Sequence, residues 1–182
     1  MTPPREERLR PFVMPSDTNA DAIRAEMTRL LPRLRRFAIA LTGTVADGDD
    51  LVQDTVERAL KNLHQWEVGT RLDNWMFRIA RNRFLDTRRA ARREGLVMQD
   101  VPEEVSNVVA FDGERAAEAR LTIAALRDAL QALPEEQREA VAMVLIDGTS
   151  YREAADTLGI PIGTLTSRLA RGREALASVL LK

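Results

Sequence analysis

Apolar residues recur along this chain at intervals of three and four, the spacing that lines one face of an α-helix, and no stretch alternates as a strand does. Ala, Leu and Arg, which favour helix, are abundant. Ile23, Met27, Leu30, Leu34, Phe37 and Leu41 share a face and predict a first helix over residues 20–41, with Pro32 placed to kink it and Thr42-Gly43 to end it. A second helix is predicted over about 46–65, with Val52, Val56, Ala59 and Leu63 as its buried stripe. A short loop containing Gly69 leads to a third, over about 73–93, in which Trp75, Met76, Ile79, Ala80 and Phe84 pack inward and Asp73 serves as N-cap.

From 94 to 114 the pattern vanishes. That stretch holds six acids, Pro102 and no Lys or Arg, the composition of a linker. Helical periodicity resumes over 115–133, breaks at Pro134, and resumes through Ile146 until Asp147-Gly148. The predicted fold is therefore all-α: a disordered tail over 1–19, a helical domain over 20–93, a flexible acidic linker over 94–114, and a second helical domain over 115–182.

The stretch SYREAADTLGIPIGTLTSRL, residues 150–169, explains the last two helices. Ser150 and Glu153 have capping-box spacing. Ala154, Ala155 and Leu158 form a small-residue face for a close crossing. Gly159 can end that helix in a left-handed conformation, and Pro161 suits the start of the next. Two short helices around such a turn make a helix-turn-helix, whose second member fits a DNA major groove. Ile162, Leu165, Leu169 and Leu176 are expected on its inner face. Gly163, Thr164, Thr166, Ser167, Arg168 and Arg171 fall outside, and they are small, hydroxylic or cationic, as phosphate contact and guanine reading require. An ordinary helical hairpin with a solvated face fits the same pattern.

Charge sharpens the picture. The net charge of −1 conceals a basic N-terminal half, with 18 Lys/Arg against 13 Asp/Glu in residues 1–93, and an acidic remainder with 9 against 15. A chain of pI near 6.0 is a poor candidate for tight DNA binding by itself, because sequence-independent affinity scales with the phosphates neutralised. Seven arginines follow Asp73 in the third helix. Arg78, Arg81, Asn82, Arg88, Arg89 and Arg92 are expected outward, able to track a phosphate backbone or simply to be solvated. A nucleic-acid role requires that those arginines not be buried in intramolecular pairs. In DDLVQDTVERAL the residues Asp50, Gln53, Asp54 and Glu57 stand at i, i+3, i+4 and i+7, a polar ridge that is either a solvated face or a docking surface for a basic partner helix.

Catalysis finds no support in the residues present. There is no cysteine, His64 is the sole histidine, and no Gly-rich phosphate loop occurs, so no catalytic residue, metal or cofactor is expected. No apolar run approaches a membrane span and no signal-peptide core opens the chain, which points to the cytoplasm.

Taken in order, an apolar helix, DDLVQDTVERAL, a Trp-loop-Trp junction, an Arg-rich helix, an acidic tether and LPEEQREAVAMVLIDGTSYREAADTLGIPIGTLTSRLARGREAL closely resemble the extracytoplasmic-function group of the sigma-70 family of bacterial RNA polymerase sigma factors. The resemblance covers about residues 20–180. It implies that 20–93 resembles the domain that grips polymerase and the promoter −10 element, and 115–182 the domain that reads the −35 element. By that likeness Asp50, Leu51, Gln53, Asp54 and Glu57 meet the clamp helices of the largest polymerase subunit. Trp66, Gly69, Thr70, Arg71, Asn74, Arg78, Arg81, Asn82, Arg88 and Arg89 are implied to engage the −10 DNA, with the 68–72 loop capturing an extruded base. Gly163, Thr164, Thr166, Ser167, Arg168 and Arg171 are implied to read the −35 DNA, Thr166 standing where many relatives carry Lys or Arg. The resemblance further implies a linker that imitates nucleic acid through Asp100, Glu103, Glu104 and Asp112, an external anti-sigma partner, and a free state that is monomeric or bound 1:1 to it. A stand-alone helix-turn-helix regulator and a sigma mimic that only sequesters an anti-sigma protein are the competing classes.

Overall fold

The computed structural model describes residues 17–93 and 114–180, whose regular structure is helical throughout. The expectations for the linker acids Asp100, Glu103, Glu104 and Asp112, and for the tail before residue 17, lie outside the described residues. The N-terminal half comprises α1 (Asp17–Thr42), α2 (Val45–Lys61), a short 3-10 turn (Leu63–Gln65) and α3 (Leu72–Arg93). Residues 17–19, expected in the tail, thus begin a helix. The C-terminal half comprises α4 (Glu114–Ala132), α5 (Glu135–Val141), a wide turn over Ala142–Ile146, α6 (Tyr151–Leu158) and α7 (Ile162–Leu180).

The core of the first half forms where α1 meets α3. Phe37 and Phe77 are buried edge to face, with ring centroids 5.1 Å apart and planes at 82°, a geometry worth about 0.5–1.5 kcal/mol beyond the area it buries. Phe77 and Leu72 join the expected inward residues Met76, Ala80 and Phe84, while Trp75 and Ile79 are half-buried.

The buried stripe of α2 differs from the expected one. It runs through Gly48, Leu51, Thr55 and Ala59, with Val52, Val56 and Leu63 flanking it. Gly48 decides this register, because a Cβ there would meet Ile39 Cγ1 at 2.5 Å and the Ile39 backbone at 3.0 Å. Only glycine lets α1 cross so closely. Thr55 tolerates the core because its hydroxyl donates to the Leu51 carbonyl at 2.7 Å.

In the second half, α7 is the central element. Leu165, Leu169 and Leu176 face inward with Val141, Met143 and Leu158. Gly172 completes the contact, since a Cβ there would lie 2.8 Å from Val141 Cγ2. The turn after α5 widens so that the Asp147 amide donates to the Ala142 carbonyl, five residues back, at 3.0 Å.

The two halves pack together, α1 against α4, α5 and the wide turn, and α3 against α6. One guanidinium closes the seam at the C-terminal end of α1. Arg138, buried, donates to the Leu41 carbonyl at 2.9 Å, and to the Gln131 and Leu133 carbonyls at 3.1 and 3.2 Å. Gln131 adds a bond to the Ala40 carbonyl at 3.1 Å. The ends of α1 and α4 thus converge on a cation, satisfying carbonyls that have no partner inside their own helices. A second junction lies midway along α1. Arg33 donates through Nε and Nη2 to Asp147 at 3.1 and 2.8 Å, through Nη1 to Asp73 at 3.1 Å, and stands 5.5 Å over the Phe77 ring.

Candidate nucleic-acid interface

The α6–α7 unit is built as its sequence suggests. Ser150 and Glu153 form both bonds of a capping box, and Gly159 ends α6 at φ 67°. Residues Gly163, Thr166, Ser167 and Arg171 are exposed, Thr164 is half-buried, and Leu165 and Leu169 hold the helix from behind. Two details depart from expectation. Ile162 is exposed at the first turn of α7 rather than inward, because the Gly159–Pro161 corner lifts that turn off the core. Arg168 is largely covered and pairs with Glu136 at 2.7 Å.

The α3 arginines divide into separate sets. Arg83 turns toward α2 and pairs with Asp54. Arg89 is solvated and reaches Asp86 at 3.4 Å. Asn82 is exposed on the rim of a cleft that it shares with Arg58, Asn62, Gln65 and Trp75.

Arg78, Arg81, Arg88 and Arg92, with Arg71 just ahead of the helix, face the C-terminal half, which corrects the expectation that they stand free. Arg71 pairs with Glu153, and Arg78 donates to the Asp156 carbonyl at 3.2 Å. Arg81 pairs with Glu139 at 3.0 Å, and Arg88 and Arg92 approach Glu135 at 3.7 and 3.6 Å. The physical reason is the charge imbalance between the halves: the acidic one supplies the nearest anions for the basic one.

The loop into α3 is organised by one carboxylate. Asp73 is not the N-cap. It lies buried in the first turn, accepting from Arg71 at 3.0 and 2.6 Å, from Arg33, and from the Asn74 amide at 2.9 Å. Burial pushes its pKa up, yet the hydrogen bonds from Arg71, Arg33 and that amide outweigh it and hold the carboxyl below its ordinary value. Gly69 is exposed at φ 94°, and the Thr70 hydroxyl donates to the Glu67 carbonyl at 2.7 Å. Trp66 is half-buried, its Nε1 without a hydrogen-bond partner among the described residues.

On α2 the acidic ridge is narrower than expected. Leu51 belongs to the core at 8% exposure, since it points at α1. Asp54 is tied to Arg58 at 3.2 Å and to Arg83; burial works against its charge, but those bonds lower its pKa. Asp50, Gln53 and Glu57 are exposed, Glu57 within 3.4 Å of Lys61. Among the described residues, no group of His, Cys, Asp and Glu is placed to hold a metal ion, and no helix is long and apolar enough to cross a membrane.

What sequence reasoning missed are Arg33, Gln131, Arg138 and Glu139, which join the halves. Their partners lie far away in the chain, and only the opposite charge of the two halves signals them.

Comparison with known proteins places this geometry. A family model for sigma-70 region 4 matches residues 123–176, and one for the Sigma2 domain of PhyR matches residues 27–81. The chain is 38% identical over 160 residues to the ECF RNA polymerase sigma factor EcfG of Rhodopseudomonas palustris, covering 88% of this chain and 86% of that one. Among solved structures it is similar to the sigma factor RpoE in complex with the anti-sigma factor NepR from Bartonella quintana, at TM-score 0.73 and 33% identity over 88% of this chain and 98% of the other. It is also similar to CnrH in complex with the cytosolic domain of CnrY, at TM-score 0.66 and 26% identity over 89% of each chain. The chain belongs to the extracytoplasmic-function group of the sigma-70 family of RNA polymerase sigma factors.

Proposed function

We propose that this sigma factor directs core RNA polymerase to promoters by reading the −35 element with α7 and engaging the opened −10 strand with α3 and the loop over 66–72. The division at 20–93 and 115–182 then separates a polymerase- and −10-binding unit from a −35-binding unit. Asp50, Gln53 and Glu57, with Asp54 at the edge, form the surface offered to the clamp helices of the largest polymerase subunit. The protein performs no covalent chemistry, needs no cofactor and acts in the cytoplasm, beside the polymerase. An anti-sigma protein is the regulator this reading expects, since a structural neighbour is a sigma factor held by one.

The observation that carries the reading is the outer face of α7. Gly163, Thr166, Ser167 and Arg171 are presented to solvent on a helix anchored from behind by Leu165 and Leu169. Small residues admit the duplex backbone, hydroxyls meet phosphates, and a guanidinium can bond both acceptors of a guanine edge. A chain with pI near 6.0 lacks the charge to hold DNA alone, so the polymerase must supply most of the nonspecific affinity.

Run-off transcription with purified chain, core enzyme and a pooled promoter library tests this. Promoter-directed RNA that depends on the chain is expected. No such RNA, together with tight operator binding by the isolated chain in a gel shift, overturns the reading in favour of a stand-alone helix-turn-helix regulator.

A further inference from the structure

We infer that the C-terminal half carries a built-in competitor for the strand-binding face of α3, in which Glu135, Glu139 and Glu153 occupy the arginines that nucleic acid would otherwise take. The arginines concerned are 71, 78, 81, 88 and 92. Their separations of seven, three, seven and four place them on one stripe running from the start of α3 to its end. Their partners follow the same order along the opposing surface: Glu153, the Asp156 carbonyl, Glu139 and then Glu135, which lies close to both Arg88 and Arg92.

Three features make this a competitor rather than incidental pairing. Each of these bonds crosses from one half to the other, so none of them is needed to hold either half together on its own. The acceptors are carboxylate and carbonyl oxygens, the same anionic and polar oxygens that a phosphodiester offers a guanidinium, so the two sets of acceptors exclude each other. The other contacts of the seam, Arg33 to Asp147 and Arg138 to the end of α1, use no arginine of the stripe. Those contacts hold the halves side by side and the bonds of the stripe add to them, so closure weakens when the carboxylates are removed. The face of α7 is not covered in the same way. The closed chain thus exposes its duplex-reading helix while masking its strand-binding one.

This inference rests on the assignment of α3 to the opened strand, and the experiment separates the two. The chain has no cysteine, so cysteines introduced at the exposed Glu26 and Glu174 give specific sites for a fluorescence energy-transfer pair across the seam. The variant is Glu135→Gln with Glu153→Gln, in the full chain. Glutamine at 153 still serves the capping box, so α6 keeps its start, and circular dichroism checks the helix content. The expected result is lower transfer efficiency than the parent at low salt, with about tenfold tighter binding of single-stranded oligodeoxythymidine, because the fraction of chains competent to bind rises. The unmutated chain should likewise lose transfer efficiency as salt is raised, since partly exposed ion pairs are screened.

Unchanged transfer in the variant and in the salt titration refutes the competitor. Reduced transfer without any gain in oligonucleotide binding leaves the carboxylate strip as the closing device and overturns the assignment of α3 to the strand.

Discussion

Two arginine-bearing helices, α3 and α7, are read from the same kind of pattern, yet the fold treats them in opposite ways. Arg81 on α3 retains 20% side-chain exposure against a Glu139 that retains 2%, whereas Arg171 on α7 is exposed. The difference does not lie in the helices. It lies in what faces them: α3 lies against α6 and the carboxylates of α5 and α6, while Gly163, Thr166, Ser167 and Arg171 of α7 stand exposed. A cationic face is open to a partner only while no anion of the same chain occupies it.

The largest effect that bears on this contrast concerns whether the halves are one unit. Leu165 is fully buried, and Leu165→Ala should remove about 2–5 kcal/mol from the C-terminal half. Both tryptophans, Trp66 and Trp75, lie in the N-terminal half, so their fluorescence reports only that half. With Arg33, Gln131 and Arg138 bridging the seam, the urea midpoint seen by tryptophan should fall as well. A tryptophan midpoint that stays in place while the helix signal acquires an earlier transition would show that the halves fold independently.

A smaller effect separates the two arginine sets directly. Arg171→Ala should cost about 1–3 kcal/mol of binding at one −35 base pair in the holoenzyme, while moving folding stability by no more than about 0.5 kcal/mol. Arg81→Ala should lower folding stability as well, because Glu139 loses the cation facing it. Equal folding stability for the two variants, measured by urea unfolding, would erase the distinction between a masked face and an open one.

How much of this was legible in the sequence depended on range. The capping box at Ser150 and Glu153, the left-handed Gly159 and the Leu165, Leu169 and Leu176 face were all readable, because each is a relation between residues within a few turns. Ile162 and the α2 stripe at Val52 and Val56 were misplaced for a related reason: apolar spacing leaves a one-position ambiguity at a helix end or beside a crossing, and Gly48 settles the α2 stripe only once α1 is in place. Asp73 looked like a cap and is instead the hub of Arg71 and Arg33. The seam pairs join residues as far apart as Arg33 and Asp147. Periodicity has no access to such pairs, and the charge imbalance announced the attraction without its geometry.

Acidity offers the finest test, because the carboxylates at the seam respond with opposite signs. Glu139 is 1% exposed, and burial raises its pKa above the ordinary glutamate value, although the charge and hydrogen bond of Arg81 and the charge of Arg168 pull it down and Glu135 pushes it up. The folded chain therefore holds this proton more tightly than the unfolded chain. The contribution of Glu139 to folding stability should rise as pH falls through the raised value and level off below the ordinary one. Asp73 behaves in reverse. Its pKa is lowered, so its contribution is complete above the ordinary aspartate value and is lost as pH falls through the lowered one. Glu139→Gln should abolish the gain on mild acidification, seen as a urea midpoint that no longer rises, and leave the loss in strong acid intact. If the variant still gains stability on mild acidification, the proton is taken up elsewhere and burial of Glu139 does not set the response. If the gain disappears, the charge of Glu139 is held beside Arg81 at a cost in burial.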